Sequence, residues 1–222
     1  MLRSRTARSD GRDQTMTTTP DLFTPATKGP SAKGRNGKTP AGKRNGNGKT
    51  SYDESMIRTL SSLEHIRLRT GMYIGRLGDG SDLDDGIYVL LKEVIDNAVD
   101  EFITGNGRKV DVRIKDNRVR VRDYGSGIPL GKPVECVSVI NTGAKYNDEI
   151  YQFSVGLNGV GTKAVNALSS SFRVVAYRNG QYAEALFERG DLKKETKRGK
   201  AAGEPDGTLV EFQPDDEIFG EY

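Results

Sequence analysis

Glu93, Asn97 and Asp100 stand at i, i+4 and i+7 in the segment Glu93-Val-Ile-Asp-Asn-Ala-Val-Asp-Glu101. On a helix turning 100° per residue they share one stripe, while Leu91, Val94, Ile95, Ala98 and Phe102 gather on the opposite side. One side would then pack on a sheet and the other would present oxygen atoms. A carboxylate one turn from a side-chain amide suits two tasks: holding a water as general base, and offering an oxygen to a magnesium ion that carries a triphosphate. An ordinary solvated helix face has the same spacing, so the neighbouring loops must decide.

Asp123 begins the first of these loops, Asp123-Tyr-Gly-Ser-Gly-Ile-Pro129, directly after a run of strand-like alternation. Gly125 and Gly127 let the backbone bend sharply or approach a flat ligand, Ile128 and Pro129 would wall that ligand, and a buried carboxylate here accepts the exocyclic amine of adenine. A tight turn explains the glycines equally well, and Asp is common at turns for local hydrogen bonding. The second loop, Gly156-Leu-Asn-Gly-Val-Gly161, opens a helix read from Val160 to Leu168. Gly156, Gly159 and Gly161 leave N–H groups uncovered at a helix N-terminus, where oriented donors and the helix dipole hold phosphate. Lys145, eleven residues before Gly156, could fold over as a lid and meet the terminal phosphates, although a plain surface lysine has the same surroundings. Carboxylate helix, adenine acceptor and phosphate loop, in that order within about seventy residues, describe an ATP site.

These residues need elements to hold them. Asp53 is read as the cap of a helix running to about Arg69, with Met56, Leu60, Leu63 and Ile66 at helical spacing; the glycine-rich stretch Gly71 to Gly86 reads as loops, and a second helix runs from about Ile87 to Thr104. Alternation in Val110 to Ile114 and Arg118 to Arg122 predicts a hairpin ending at Asp123. Asn179-Gly180 predicts another between Phe172 to Tyr177 and Gln181 to Phe187, and Gly207 to Phe212 supplies a late strand. Antiparallel strands mixed with separate helices indicate an α+β layer rather than alternating crossover units.

The net charge of +3 over 222 residues hides an asymmetry. Residues 1–50 hold eleven Lys or Arg against three Asp, a charge of +8, whereas residues 51–222 hold 23 basic and 28 acidic residues, a charge of −5. The first fifty residues have few aliphatic side chains to bury and read as a disordered basic tail, either an electrostatic tether to nucleic acid or a solubilising extension. Residues 51–222 read as one folded domain. No apolar run is long enough to span a bilayer and no segment has the form of a secretory signal, so a soluble cytoplasmic chain is expected. The single cysteine, Cys136, allows neither an internal disulfide nor a zinc site and is read as a small core residue.

Five segments together, Thr70-Gly-Met-Tyr-Ile-Gly75, Glu93 to Glu101, Asp123 to Pro129, Thr142-Gly-Ala-Lys-Tyr146 and Gly156 to Thr162, resemble the N-terminal ATPase domain of the B subunit of bacterial gyrase and topoisomerase IV. That domain belongs with heat-shock-90 chaperones, histidine kinases and mismatch-repair clamps, but the Met-Tyr-Ile-Gly and Thr-Gly-Ala-Lys segments select the topoisomerase branch. The resemblance covers nearly all of residues 51–222 and implies a two-layer α/β sandwich of the Bergerat type, its mixed, mostly antiparallel sheet covered by helices. It implies ATP and Mg²⁺ as ligands, with Glu93 as the base that activates water, Asn97 as the Mg²⁺ ligand, Asp123 as the adenine acceptor and Thr208 as the partner that holds a water beside Asp123. Asp100 shares the ligand-facing stripe, Gly156, Leu157, Asn158, Gly159, Val160, Gly161 and Thr162 would wrap the phosphates, and Lys145 would act from the lid. Tyr52 matches an N-terminal arm that reaches across a homodimer, and Arg178 matches a basic residue at the pocket rim.

Three positions depart from the family pattern. Thr70 stands where Pro is usual, Ser126 replaces an Arg that would cover the base and pair with Glu101, and Tyr88 and Val89 occupy the stretch where a His often precedes the base. The only histidine, His65, is read as a packing or surface residue. The chain is also shorter than family members, which continue into a transducer domain and a region that joins a DNA-cleaving subunit of the A type. A fragment is therefore expected: the ATP-binding and hydrolysing part of a type II DNA topoisomerase that closes a dimer gate around DNA. A mismatch-repair or chaperone clamp and a non-catalytic nucleotide-binding fragment are the alternatives. The Leu83 to Gly86 and Leu91 to Glu93 wording leans towards topoisomerase IV.

Overall fold

The computed structural model describes residues 54–142 and 159–222. The expected disorder of residues 1–50 and the roles assigned to Tyr52, Lys145, Gly156, Leu157 and Asn158 lie outside the described residues.

A 3₁₀ turn at Glu54–Met56 precedes α1 (Ser62–Leu68) and α2 (Gly71–Ile74), after which comes the long helix α3 (Gly86–Ile103). The single helix expected from Asp53 to Arg69 is thus two elements. Ser61 starts α1 because it forms a capping box: its hydroxyl accepts from the Glu64 N–H at 3.3 Å while the Glu64 carboxylate accepts from the Ser61 N–H at 2.8 Å. The stretch read as loop also contains α2, whose Thr70 hydroxyl donates back to the Arg67 carbonyl.

Hairpin β1 (Val110–Lys115) and β2 (Arg118–Asp123) turns at Asp116 and Asn117, both left-handed, which is the turn that suits twisted strands. Then follow α4 (Pro133–Ser138), α5 (Gly161–Ala167), β3 (Ser169–Arg178), β4 (Gln181–Glu188), β5 (Asp191–Lys200), β6 (Gly207–Pro214) and α6 (Asp216–Phe219). Among the described residues six strands form one sheet in the order β1-β2-β6-β3-β4-β5. Every pairing in it is antiparallel, the limiting case of the mostly antiparallel sheet that the resemblance implies. The cause is connectivity: β1-β2, β3-β4 and β4-β5 are hairpins, and β6 inserts between β2 and β3 antiparallel to both. Strand β5 is an addition to the expected set, since Asp191-Leu-Lys-Lys-Glu-Thr-Lys-Arg-Gly-Lys200 has no apolar alternation; the left-handed pair Arg189-Gly190 turns the chain back into it.

The core lies between the helices and one face of the sheet. Val119 and Val121 of β2, Phe172 and Val174 of β3, Ala185 and Phe187 of β4, and Val210 and Phe212 of β6 pack with Leu90, Val94 and Ala98 of α3 and with Ala164, Val165 and Ala167 of α5. Within α3 the wheel needs one adjustment. Leu90 is the most deeply buried apolar residue, Asp100 is buried as well, and Phe102, expected to pack, is 60% exposed. The opposite face of the sheet carries an ion network beside buried Val175 and Leu209: Arg173 lies between Glu184 and Glu211 at 2.6 Å from each, and Arg120 reaches Glu211 at 3.2 Å. No helix among the described residues is long and apolar enough to cross a membrane.

Candidate functional site: a cavity between α3, α5 and the sheet

A cavity of about 560 Å³ opens between α3, the N-terminal end of α5 and the ends of β2, β3 and β6, within the range of sites that bury a nucleotide-sized ligand. Among the described residues it gathers Glu93, Asn97, Asp100, Asp123, Gly127, Ile128, Pro129, Gly159, Val160, Gly161, Thr162 and Thr208, with Arg178 beside them. Sequence positions spread over more than one hundred residues meet here because β6 lies beside β2 and brings Thr208 to Asp123.

At the inner end, Asp123 is buried with 8% of its surface exposed. Its Oδ1 accepts two backbone N–H groups, Gly125 at 2.9 Å and Thr208 at 3.0 Å. Burial pushes this carboxyl above the usual range; the two N–H donors and Arg122 pull it back, while Glu101 nearby adds to the rise, and the net direction is up. With Oδ1 held by the protein, Oδ2 is the atom through which Asp123 would meet a ligand donor. Arg122 is held on the far side, donating to the Asp123 and Pro205 carbonyls and lying over the rings of Tyr124 and Tyr177. The wall of this end is aliphatic: Val94, Val121, Val174, Val210, Ile74 and Ile128 face a flat slot.

Gly127 is left-handed at φ 70°, and a Cβ there would sit 2.6 Å from the Tyr177 carbonyl, so glycine is required. Gly125 stands apart from the main cavity: it borders a second one of about 130 Å³ with Gly107 and Tyr124, and its Cα faces the Glu101 side chain. Glu101 in turn accepts from both the N–H and the hydroxyl of Ser126 at 2.8 Å through one oxygen. Where the resemblance implied that Ser126 forfeits a pairing with Glu101, a short hydroxyl and an amide make the pairing instead, without a guanidinium over the slot.

At the outer end, Asn97 donates its amide nitrogen to the Glu93 carbonyl at 2.7 Å and to the Thr162 hydroxyl at 2.9 Å. That ties α3 to the start of α5, and Oδ1 is the Asn97 atom suited to a cation. Glu93 lies directly over Gly161; a Cβ at that glycine would overlap the Glu93 carboxylate. Gly159 is left-handed at φ 59° and turns the chain into α5.

Among the cavity-lining residues that the spacing arguments missed are Lys163, Tyr73 and Cys136. Lys163, buried to 4% exposure on α5, donates to the Thr142 carbonyl at 2.6 Å. Tyr73 lines the cavity and hydrogen-bonds His65 Nδ1 at 2.7 Å, which agrees with a packing role for that histidine. Cys136, read as a core residue, is half-buried and borders the cavity from α4, its thiol pushed up by burial.

Comparison with known proteins gives the same picture. The family model described as "Histidine kinase-, DNA gyrase B-, and HSP90-like ATPase" matches residues 82–217. The chain is 66% identical over 171 residues to the B subunit of DNA topoisomerase 4 from Borreliella burgdorferi, a match covering 77% of this chain and 28% of that protein. It is 41% identical over 185 residues to the B subunit of DNA gyrase from Thermus thermophilus, covering 77% of this chain and 28% of that one. The solved 43K ATPase domain of Thermus thermophilus gyrase B, in complex with an aminocoumarin, superposes with a TM-score of 0.58 at 33% identity over 73% of this chain and 42% of that one. The chain thus spans little more than a quarter of these full-length relatives. Matched by that model over residues 82–217, more than half of its length, the chain belongs to the family of histidine kinase-, DNA gyrase B- and HSP90-like ATPases.

Proposed function

We propose that this chain binds and hydrolyses ATP as the N-terminal part of the B subunit of a type II DNA topoisomerase. The observation that carries the reading is Asp123: a buried carboxylate at a cavity with aliphatic walls, one oxygen fixed by two backbone N–H groups and a second that can accept from a ligand. The exocyclic amine of adenine donates to such an oxygen, which selects it over a base that presents a carbonyl there.

Glu93 is the general base. It takes a proton from the water whose oxygen attacks the terminal phosphorus as the bond to the bridging oxygen breaks, yielding ADP and phosphate. Gly161 lets α5 approach this carboxylate closely, so base and phosphate-binding backbone are held as one unit. The donor set fits Mg²⁺: an amide oxygen one turn from a carboxylate suits a hard cation that arrives on the triphosphate and keeps most of its waters. Asn97 would hold it through Oδ1, and the ion would offset phosphate charge. Lys145 would contact the terminal phosphates, and Gly156, Leu157 and Asn158 would complete the phosphate loop.

In the intact enzyme, ATP would draw two protomers together through the arm that contains Tyr52, closing a gate around DNA, and an A-type subunit would cut and rejoin the strand. The 66% identity to a topoisomerase 4 relative favours that branch. The reading places the enzyme in the cytoplasm, with residues 51–222 as its ATPase domain and residues 1–50 as a basic tail.

Titration of Mg²⁺ and a non-hydrolysable ATP analogue into the full chain, followed by calorimetry, tests the pocket. Asp123→Asn keeps the acceptor for both N–H groups but turns an amide donor towards the adenine amine. Affinity should fall about ten- to a hundredfold, the loss of a hydrogen bond to a charged group worth about 1.5–3 kcal/mol. Equal binding by the variant would remove adenine from this slot.

A further inference from the structure

The helix-free face of hairpin β1–β2 is more basic than edge protection or folding requires. Its outward residues are Asp111, Arg113 and Lys115 on β1 and Arg118, Arg120 and Arg122 on β2, alternating with the core-facing Val119 and Val121. The register sets Arg113 directly opposite Arg120 and Lys115 directly opposite Arg118, two like-charge pairs side by side. Directly opposed like charges destabilise a sheet. Arg122 and Asp111 are occupied, the first by two carbonyls and two rings, the second by Lys109 and Tyr124. Arg118 reaches only the neutral Gln213, Arg120 shares Glu211 with Arg173, and neither Arg113 nor Lys115 forms an ion pair among the described residues. Both are exposed.

Charge on an edge strand discourages sheet-to-sheet aggregation, which accounts for Arg113 and Lys115 on β1. It does not account for Arg118, because β2 is an interior strand paired on both sides, whereas Arg120 is held by Glu211. Nor does bulk charge, since residues 51–222 are net acidic by 23 basic to 28 acidic residues. A surface that sets Arg113, Lys115 and Arg118 side by side without an ion pair among the described residues, against the sign of its own domain, attracts a polyanion, and guanidinium is the cation best matched to phosphate oxygens.

We propose that the outer face of hairpin β1–β2 docks on the sugar-phosphate backbone of duplex DNA, with Arg113, Lys115 and Arg118 as phosphate contacts and Arg120 as a shared one. The choice of DNA rests on the topoisomerase reading above; the polyanionic character rests on the hairpin alone. Such contacts position the domain on DNA without reading sequence.

The test is fluorescence anisotropy of the full chain with a short labelled duplex, titrated over a series of salt concentrations. Each phosphate contact removed should flatten the plot of log affinity against log salt by about one unit. Arg113→Gln/Lys115→Gln should therefore lower the slope by about two, while Arg113→Lys/Lys115→Arg restores it. The basic residues 1–50 are the same in every variant, so their contribution cancels. An equal change of charge at the other edge of the sheet, Lys193→Gln/Lys197→Gln, should leave the slope near that of the parent. An unchanged slope in the first variant, or an equal loss from the control pair, overturns the proposal in favour of general charge. The melting temperature guards against misfolding: relief of like-charge pairs should hold it or raise it, and a fall would remove the repulsion on which the argument stands. Nucleotide binding measured on the same parent chain separates the two readings, because Arg113 and Lys115 do not line the cavity and their variants leave ATP-analogue affinity intact.

Discussion

Glu93 and Gly161 illustrate how a residue without a side chain can govern one with chemistry. The glycine sits where any Cβ would enter the Glu93 carboxylate, 2.6 Å from its Cδ. Gly161→Ala should therefore displace Glu93 without emptying the adenine slot. In the intact enzyme the expected result is turnover reduced at least tenfold with ATP-analogue affinity changed less than threefold, and a steady-state ATPase assay beside calorimetry checks it. Equal loss of both would mean that the glycine serves the phosphates rather than the base. These single-residue roles follow from chemical type and order in the chain. What the spacing could not reveal was Lys163, since a lysine between Thr162 and Ala164 looks like a surface residue until α5 turns it inward to Thr142.

Between elements, the Asn97 amide is the pin that holds α3 to α5. Its nitrogen donates to Thr162 across 65 residues of chain as well as to the Glu93 carbonyl one turn back. Thr162→Val keeps the shape but removes the acceptor, leaving a half-buried N–H without that partner. The cost should be about 0.5–1.5 kcal/mol, a fall in melting temperature of about 1–6 °C for a domain of this size. Nucleotide binding should also lose much of its Mg²⁺ dependence, because Asn97 then turns more freely. Thermal melts and titrations with and without Mg²⁺ test both halves, and retained Mg²⁺ dependence would show that the pin does not set the cation ligand. The hairpin turns and the helix α3 were readable locally, since each rests on contacts a few residues apart, whereas the capping box at Ser61 was passed over for Asp53. Strand β5 was not, because its exposed, charged sequence is held by pairing to β4 rather than by burial.

For the molecule as a whole, two buried carboxylates oppose each other in their response to pH. Asp123, pushed up by burial, binds its proton more tightly folded than unfolded; it favours the folded state in acid, and that contribution is lost as pH rises through its folded value. Asp215 has the reverse sign. Burial would raise it, but hydrogen bonds from Arg189 and Arg67 prevail and hold it below the usual range, so its stabilisation is present above the unfolded value and lost as pH falls through the folded one. Melting curves at several pH values should show Asp123→Asn more stable than the parent near neutrality, with the gap closing in acid. Asp215→Asn should be less stable near neutrality, with its deficit closing in acid. Parallel curves for either variant would remove that carboxylate from the pH response.

Chemical type, glycine placement and alternation were enough to identify an ATP-type site, an α+β layer and most of the elements, because helix stripes, turns and phosphate loops depend on neighbours in sequence. The pairing of β6 with β2 was beyond their reach, and it alone delivers the Thr208 N–H to Asp123 and sets the buried state of that carboxylate. The same pairing closes the sheet as fully antiparallel, while the packing of α3 decides that Asp100 is buried and Phe102 exposed. Long-range pairing is chosen by the total burial of all elements at once, a sum that no local stretch contains.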